Sequence, residues 1–246
     1  LAYPITTIDL PDSILQVQGG SFRLMPEGEY SSGQWATTPR ATGPRFMRWN
    51  AEMDLLPFRK GANGDLRFDW EVFVTRLEGT AKAFRLYDPL RCLPRGAGAG
   101  IWNPRLPGGV RSQGEYTVDG SYLIDGVYHI DGGSTYAYVG TAADRYATSL
   151  HLTGLVPSTL VFKAGDQLSV GGNLHMIMDD ATSDSSGETS VLISWRLWKP
   201  ALVGDRVELE HPTGRFVLRS SDGGTMVRAF YTGQASISAI EVPYVE

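Results

Sequence analysis

At 246 residues, 42% hydrophobic and 11% aromatic, the chain can hold two modest domains or one carrying an insert, and it can bury a real core. Its 29 glycines, 14 prolines and 20% charged residues suit many short strands joined by turns better than a helical bundle. A formal net charge of −5 argues against a nucleic-acid grip, and the lone Cys92 excludes an internal disulfide framework and suits a reducing cytoplasm. No apolar run approaches the roughly 20 residues that cross a bilayer. The opening LAYPITTIDLPDS has neither a basic n-region nor a continuous apolar stretch, so no signal peptide is expected.

Residues 45–56, RFMRWNAEMDLL, alternate: Met47, Trp49, Ala51, Met53 and Leu55 point one way, and Arg48, Asn50, Glu52 and Asp54 the other. That pattern predicts a half-buried strand closed by Pro57, with Trp49 in the core. The one convincing helix is 65–78, DLRFDWEVFVTRLE. Leu66, Trp70, Phe73 and Leu77 make a single stripe, Asn63 or Asp65 can cap the start and Gly79 can end it. The stripe is expected to bury against the strand that holds Trp49. A short strand, about 83–87, follows and stops at Asp88-Pro89.

From 91 to 114 the chain is irregular and reads as a connection between two lobes. Val118-Asp119-Gly120, Ile124-Asp125-Gly126 and Ile130-Asp131-Gly132 then recur, and Asp-Gly turns make EYTV, SYLI and VYHI three strands of a tight meander. Beyond it, Leu168 and Val170, then Leu174, Met176 and Met178, alternate about a Gly171-Gly172 turn. Val191, Ile193, Trp195 and Leu197 form another strand after the polar loop 182–188. Val207 and Leu209 pair with Phe216 and Leu218 as a hairpin across Pro212-Thr213-Gly214, and Ala235, Ile237 and Ala239 share one face of a last strand. The expected fold is mainly β (α+β): a β-sandwich core with one helix, plus an inserted small β-barrel or sandwich lobe. The divisions are 1–111 for the core with its helix, 112–205 for the insert and 206–246 for strands that complete the core.

Chemistry-bearing patterns are few. His129, His151, His175 and His211 sit singly, without paired-ligand spacing, and Cys92 has no zinc partner. Gly96, Gly98 and Gly100 lack dinucleotide spacing, and IWNPRLPGG after them cannot begin a helix. No Walker loop or Gly-x-Ser-x-Gly elbow occurs. Asp119, Asp125 and Asp131 are explained by hairpin turns rather than calcium. Carboxylate pairs such as Asp54 with Glu71, or Asp166 with Asp180, arise by chance among 27 acidic residues. No catalytic, cofactor-binding or metal-binding residue is therefore assigned.

Two stretches carry a resemblance. The first is RWNAEMDLLP, then FDWEVFVTRLEGTAKAFRLYDPLRCLPRGAG, in which Trp70, Phe73, Leu77, Gly79, Phe84, Leu86, Asp88, Pro89, Pro94, Arg95 and Gly96 hold the motif places. The second runs from FKAGDQLSVGG to HPTGRFVLRS, with Ala164, Gly165, Asp166, Leu168, Gly171, Asp180, Ala181, Asp184, Gly187, Pro212, Gly214, Phe216 and Leu218. In order and spacing they resemble siphophage distal tail proteins of the subfamily in which a small barrel interrupts the core. They cover about half the chain; residues about 115–150 are longer than the family's connecting segment, and Trp198-Lys199-Pro200 shifts its proline.

The resemblance implies a virion structural protein of a long-tailed bacteriophage, assembled in the host cytoplasm and free of chemistry and cofactors. It implies a homo-oligomeric ring, usually a hexamer, between the tail tube protein above and the tail-tip hub protein below. Genomic DNA passes through without specific binding, no membrane is involved, and a neutral to acidic lumen is expected. Trp49, Trp70, Phe73 and Leu77 are the candidate structural or assembly residues. Two other readings stand beside it: a carbohydrate-binding β-sandwich adhesion module of the tail tip, with Tyr122, Tyr136 and Tyr138 stacking on sugars, and a hydrolase with an unrecognised site.

Overall fold

The computed structural model describes residues 6–10, 17–27, 30–31, 40–41, 46–55, 58–61, 64–96, 136–220, 224, 226–228 and 232–244. The chain is mainly β, an α+β fold of several sheets with a single helix among the described residues. It divides into two units, Leu1–Leu86 with Arg215–Pro243, and Tyr87–Gly214 with Tyr244–Glu246. The expected meander EYTV, SYLI and VYHI, the connector from 97 to 114, His129, Tyr122, Asn63 and Pro57 lie outside the described residues.

The first unit opens with β1 (Thr7–Asp9), β2 (Val17–Glu27), β3 (Tyr30–Ser31), β4 (Arg40–Ala41) and β5 (Phe46–Leu55). It continues through β6 (Phe58–Gly61), β7 (Gly64–Asp65), α1 (Leu66–Leu77) and β8 (Ala83–Leu86). The second unit holds β9 (Tyr136–Thr141), β10 (Ser149–Thr153), β11 (Leu160–Phe162), β12 (Gln167–Val170), β13 (Asn173–Met176), β14 (Ala181–Thr182), β15 (Thr189–Leu192) and β16 (Arg206–Glu208). The chain then returns to the first unit with β17 (Gly214–Leu218), β18 (Met226–Arg228) and β19 (Thr232–Glu241).

In the first unit the main sheet runs β1-β8-β17-β19-β5-β2. Strand β5 shows the alternation its sequence predicts: Trp49, Ala51, Met53 and Leu55 are buried, Glu52 and Asp54 exposed. Opposite residues of antiparallel strands share a face, so the pairs Ile237↔Met53 and Ala239↔Ala51 bring the apolar face of β19 alongside. Phe22 of β2 joins the same layer, its ring 5.4 Å from Trp49 and 5.5 Å from Phe216. Two polar residues depart from the simple pattern. Asn50 is buried and donates to Met25 Sδ, and the buried Glu241 accepts from the Trp49 amide at 3.2 Å.

Helix α1 is one residue shorter at each end than the expected 65–78. Asp65 is held in β7 opposite Lys60, and Glu78 has already turned left-handed (φ 52), followed by Gly79 (φ 71). Trp70, Phe73 and Leu77 are buried, and Asp69 in the first turn and Arg76 in the last complement the helix dipole. The Phe73 ring meets Phe84 of β8 edge-on at 5.6 Å, with Trp70 at 5.9 Å from Phe73.

The second unit has a six-stranded sheet, β13-β12-β16-β9-β10-β15, and a two-stranded one, β11-β14. Its apolar core is made from residues between Ala137 and Leu209, among them Phe162, Leu168, Val191 and Val207. Three expectations are corrected here. The glycine turn, Gly171 and Gly172 at φ 58 and 77, is as expected, but a two-residue turn sets Val170 opposite Asn173 and Leu168 opposite His175. Asn173 and His175 therefore share the face of Leu168 and Val170, while Leu174 takes the other side. The strand expected over 191–197 ends at Leu192; Ile193 makes only a bridge to Ile177.

The third correction is the larger one. Val207 and Phe216 are not partners in a hairpin: β16 pairs with β12 and β9, whereas β17 pairs with β19. Both edges of β16 are already taken, so Pro212-Thr213-Gly214 is a crossing between units rather than a turn within a sheet. Arg206–Glu208, expected among the strands completing the core, thus belongs to the insert. At the other boundary, Tyr87 to Gly96, expected within the core, belongs to the second unit as well.

Candidate functional site

The two stretches that carry the resemblance meet inside the second unit. Within the second unit, Asp88 of the first stretch closes a turn: its Oδ1 accepts from Leu90 N at 3.0 Å and its Oδ2 pairs with Arg91 Nε at 2.9 Å. Cys92 O then accepts from His211 N at 2.7 Å, which ties this segment to the chain just ahead of Pro212. Arg95 and Asp166, 71 residues apart, form the main junction. The carboxylate of Asp166, only 2% exposed, accepts from Arg95 N at 3.0 Å, Arg95 Nε at 2.7 Å and Lys163 N at 2.8 Å. The far end of the Arg95 guanidinium donates to Ala164 O.

The glycines of these motifs are explained by space. A Cβ on Gly96 would stand 2.0 Å from Val161 O, and one on Gly187 would stand 2.2 Å from Leu155 O. Gly165 and Gly187 also have φ of 93 and 77. The remaining acids serve main-chain donors. Asp180 Oδ1 accepts from Ala164 N at 2.8 Å, and Asp184 Oδ1 accepts from Ser186 N and Glu188 N. Those amides, that of Glu188 first, hold the Asp184 carboxyl below its ordinary range. The imagined acid pair Asp166 and Asp180 is thus two separate main-chain anchors, and Asp54 is exposed on the polar side of β5.

The candidate assembly residues Trp49, Trp70, Phe73 and Leu77 are all interior, at 1, 1, 4 and 0% exposure. What the first unit exposes instead on the helix is Phe68 and Val72, one turn apart. Of the histidines, His151 Nε2 lies 3.6 Å from Glu188, and His211 stacks edge-on against Tyr87 at 4.7 Å. Buried His175 is pushed down to about 4 by loss of water, opposed by its hydrogen bond to the Trp195 main chain. Its Nε2 has no partner among the described residues, nor have the side chains of buried Gln167 and Ser169. Among the described residues no group of three or more His, Cys, Asp or Glu could hold a metal.

Of the tyrosines offered for sugar stacking, Tyr136 and Tyr138 share one side of β9. Tyr138 is 46% exposed, and Arg206 covers the Tyr136 ring. A neighbouring feature escaped sequence reasoning. Tyr146, half exposed in a turn after β9, has φ 77, and both Arg145 and Arg196 reach its ring. No periodicity marks it, because a left-handed tyrosine looks like any other in DRYAT. A scan against protein-family models matches none of them, and a search of the curated proteins returns no match.

Proposed function

We propose that this chain is the distal tail subunit of a long-tailed bacteriophage, forming the ring that joins the tail tube to the tail-tip hub. The observation that carries this reading is the Arg95–Asp166 junction. The two resembling stretches are remote in sequence, yet Arg95 of the first pairs with Asp166 of the second, and this contact between motif residues supports the reading. The seam is built for shape. Its carboxylates are spent on main-chain amides, its glycines on close backbone approach, and Leu168 on core packing. Residues kept for folding are what a self-assembling structural subunit without chemistry, cofactor or membrane contact requires.

Electron micrographs of the purified chain, alone and mixed with tail-tube and hub proteins, test the proposal. The expected result is a closed ring, six-fold by the resemblance, that caps tube ends. A chain that stays monomeric with both partners present overturns it.

A further inference from the structure

We propose that Asn173 and Lys199 form a recognition site for an extended peptide that carries an aromatic side chain. Tyr244 fills the site in cis, and a segment of a second polypeptide chain takes its place in trans. The inference stands apart from the ring, since all three residues belong to the second unit.

Both ends of one side-chain amide are spent on a single residue. Tyr244 N donates to Asn173 Oδ1 at 2.6 Å, and Asn173 Nδ2 donates to Tyr244 O at 3.1 Å. A neighbouring strand reads a residue through the same two groups, and every residue except proline has them. The pair therefore cannot tell its own chain from another, as in peptide sites where main-chain bonds give affinity and side chains give specificity. Asn173 opens β13 directly after the Gly171-Gly172 turn, opposite Val170, and is only 2% exposed. An amide so buried is costly to leave without partners, so the site favours an occupied state whichever chain supplies the residue.

Selectivity comes from the ring. Lys199 Nζ stands 5.4 Å from the centre of the Tyr244 ring, within the range of cation–π attraction. The stem of Lys199 passes over the glycine turn, where a Cβ on Gly171 would stand 2.1 Å from Lys199 Cε. Gly171, at φ 58, thus clears the path that brings the ammonium to the ring. The ring is held without being enclosed, because Tyr244 remains 39% exposed. One aromatic residue can therefore leave and another enter without opening the apolar core of the unit.

Titration of the full chain carrying Tyr244→Pro tests this, because proline has no N–H and the cis residue then loses its half of the pair. The probe is the blocked peptide acetyl-Glu-Val-Pro-Tyr-Val-Glu-amide, copied from residues 241–246, and the readout is the shift of the Asn173 side-chain amide signals in NMR spectra. The variant is expected to bind with a Kd of about 1 mM, and the parent chain at least about tenfold more weakly, since its own Tyr244 holds the site. Methylating the amide nitrogen of the peptide's tyrosine should weaken binding about tenfold or more, and exchanging that tyrosine for alanine about threefold or more. If Tyr244→Pro fails to melt cooperatively, Tyr244→Ala, which gives up the ring, replaces it, and tighter peptide binding than the parent's is expected of it. The proposal is overturned by a folded variant that binds no peptide, or by a parent chain that binds as tightly as the variant. It is equally overturned if the methylated or the alanine peptide binds as tightly as the original.

Discussion

Arg95 and Asp166 share one ion pair but do not contribute equally to stability. The carboxylate is buried and is the acceptor for two main-chain amides, whereas the guanidinium side chain is 54% exposed. Asp166→Ala strands both amides and is expected to cost about 2–4 kcal/mol. Arg95→Ala keeps its own amide bond and returns a half-solvated head to water, so it should cost under about 1 kcal/mol. Urea midpoints of the two variants check the asymmetry. His175 makes a second prediction, about pH. Unfolded, its imidazole protonates at the ordinary 6.5; folded, only at about 4. The unfolded state therefore binds more protons between those values, and stability falls as pH drops through that window, levelling below it. The total is about 3 kcal/mol, of which about 2 should be lost between pH 7 and 5. Melting of His175→Leu across the same range should lack that slope. Nothing in NLHM announces a buried imidazole; the two-residue turn opposite Leu168 puts it there.

Among the elements, β5 and α1 were legible because their periods are written in neighbouring residues. The burial of Trp49, Ala51, Met53 and Leu55, and of Trp70, Phe73 and Leu77, needs no knowledge of what they pack against. Phe73→Ala is expected to destabilise the chain by about 3–5 kcal/mol, read from denaturant midpoints, because its ring is interior and meets Phe84. Phe68→Ser, on the exposed side of the same helix, should stay within about 0.5 kcal/mol of the parent in the same assay. Gly96→Ala tests the seam at element level. Its Cβ would press into the β11 carbonyl of Val161, and about 1–3 kcal/mol should be lost although a methyl group is added. The hairpin expected across Pro212-Thr213-Gly214 failed for a complementary reason. Turn residues mark a change of direction without saying which strand waits beyond it.

For the whole molecule, the first unit is interrupted and the second is one run, Tyr87–Gly214, with Tyr244–Glu246 added, which predicts that residues 87–214 fold by themselves. The apolar core of the second unit is drawn from residues between Ala137 and Leu209, so the excised segment should melt cooperatively and keep the His175 pH slope. In the proposed ring each copy would bring a net charge of −5, and the purified chain should leave duplex DNA unretarded in a gel at physiological salt. Composition, turn residues and local periodicity by themselves determined the class of fold, the helix and its buried stripe, the alternation of β5 and β19, and the absence of a recognisable catalytic motif. These are properties of residues within a few positions of one another, where sterics and burial act through the chain itself. Only the tertiary structure decided the partners of β16 and β17, the junction of Arg95 with Asp166, the burial of His175 and the exposed strain of Tyr146. Each of these depends on which segment, scores of residues away, supplies a hydrogen-bonding edge or excludes water, and no local pattern encodes that choice.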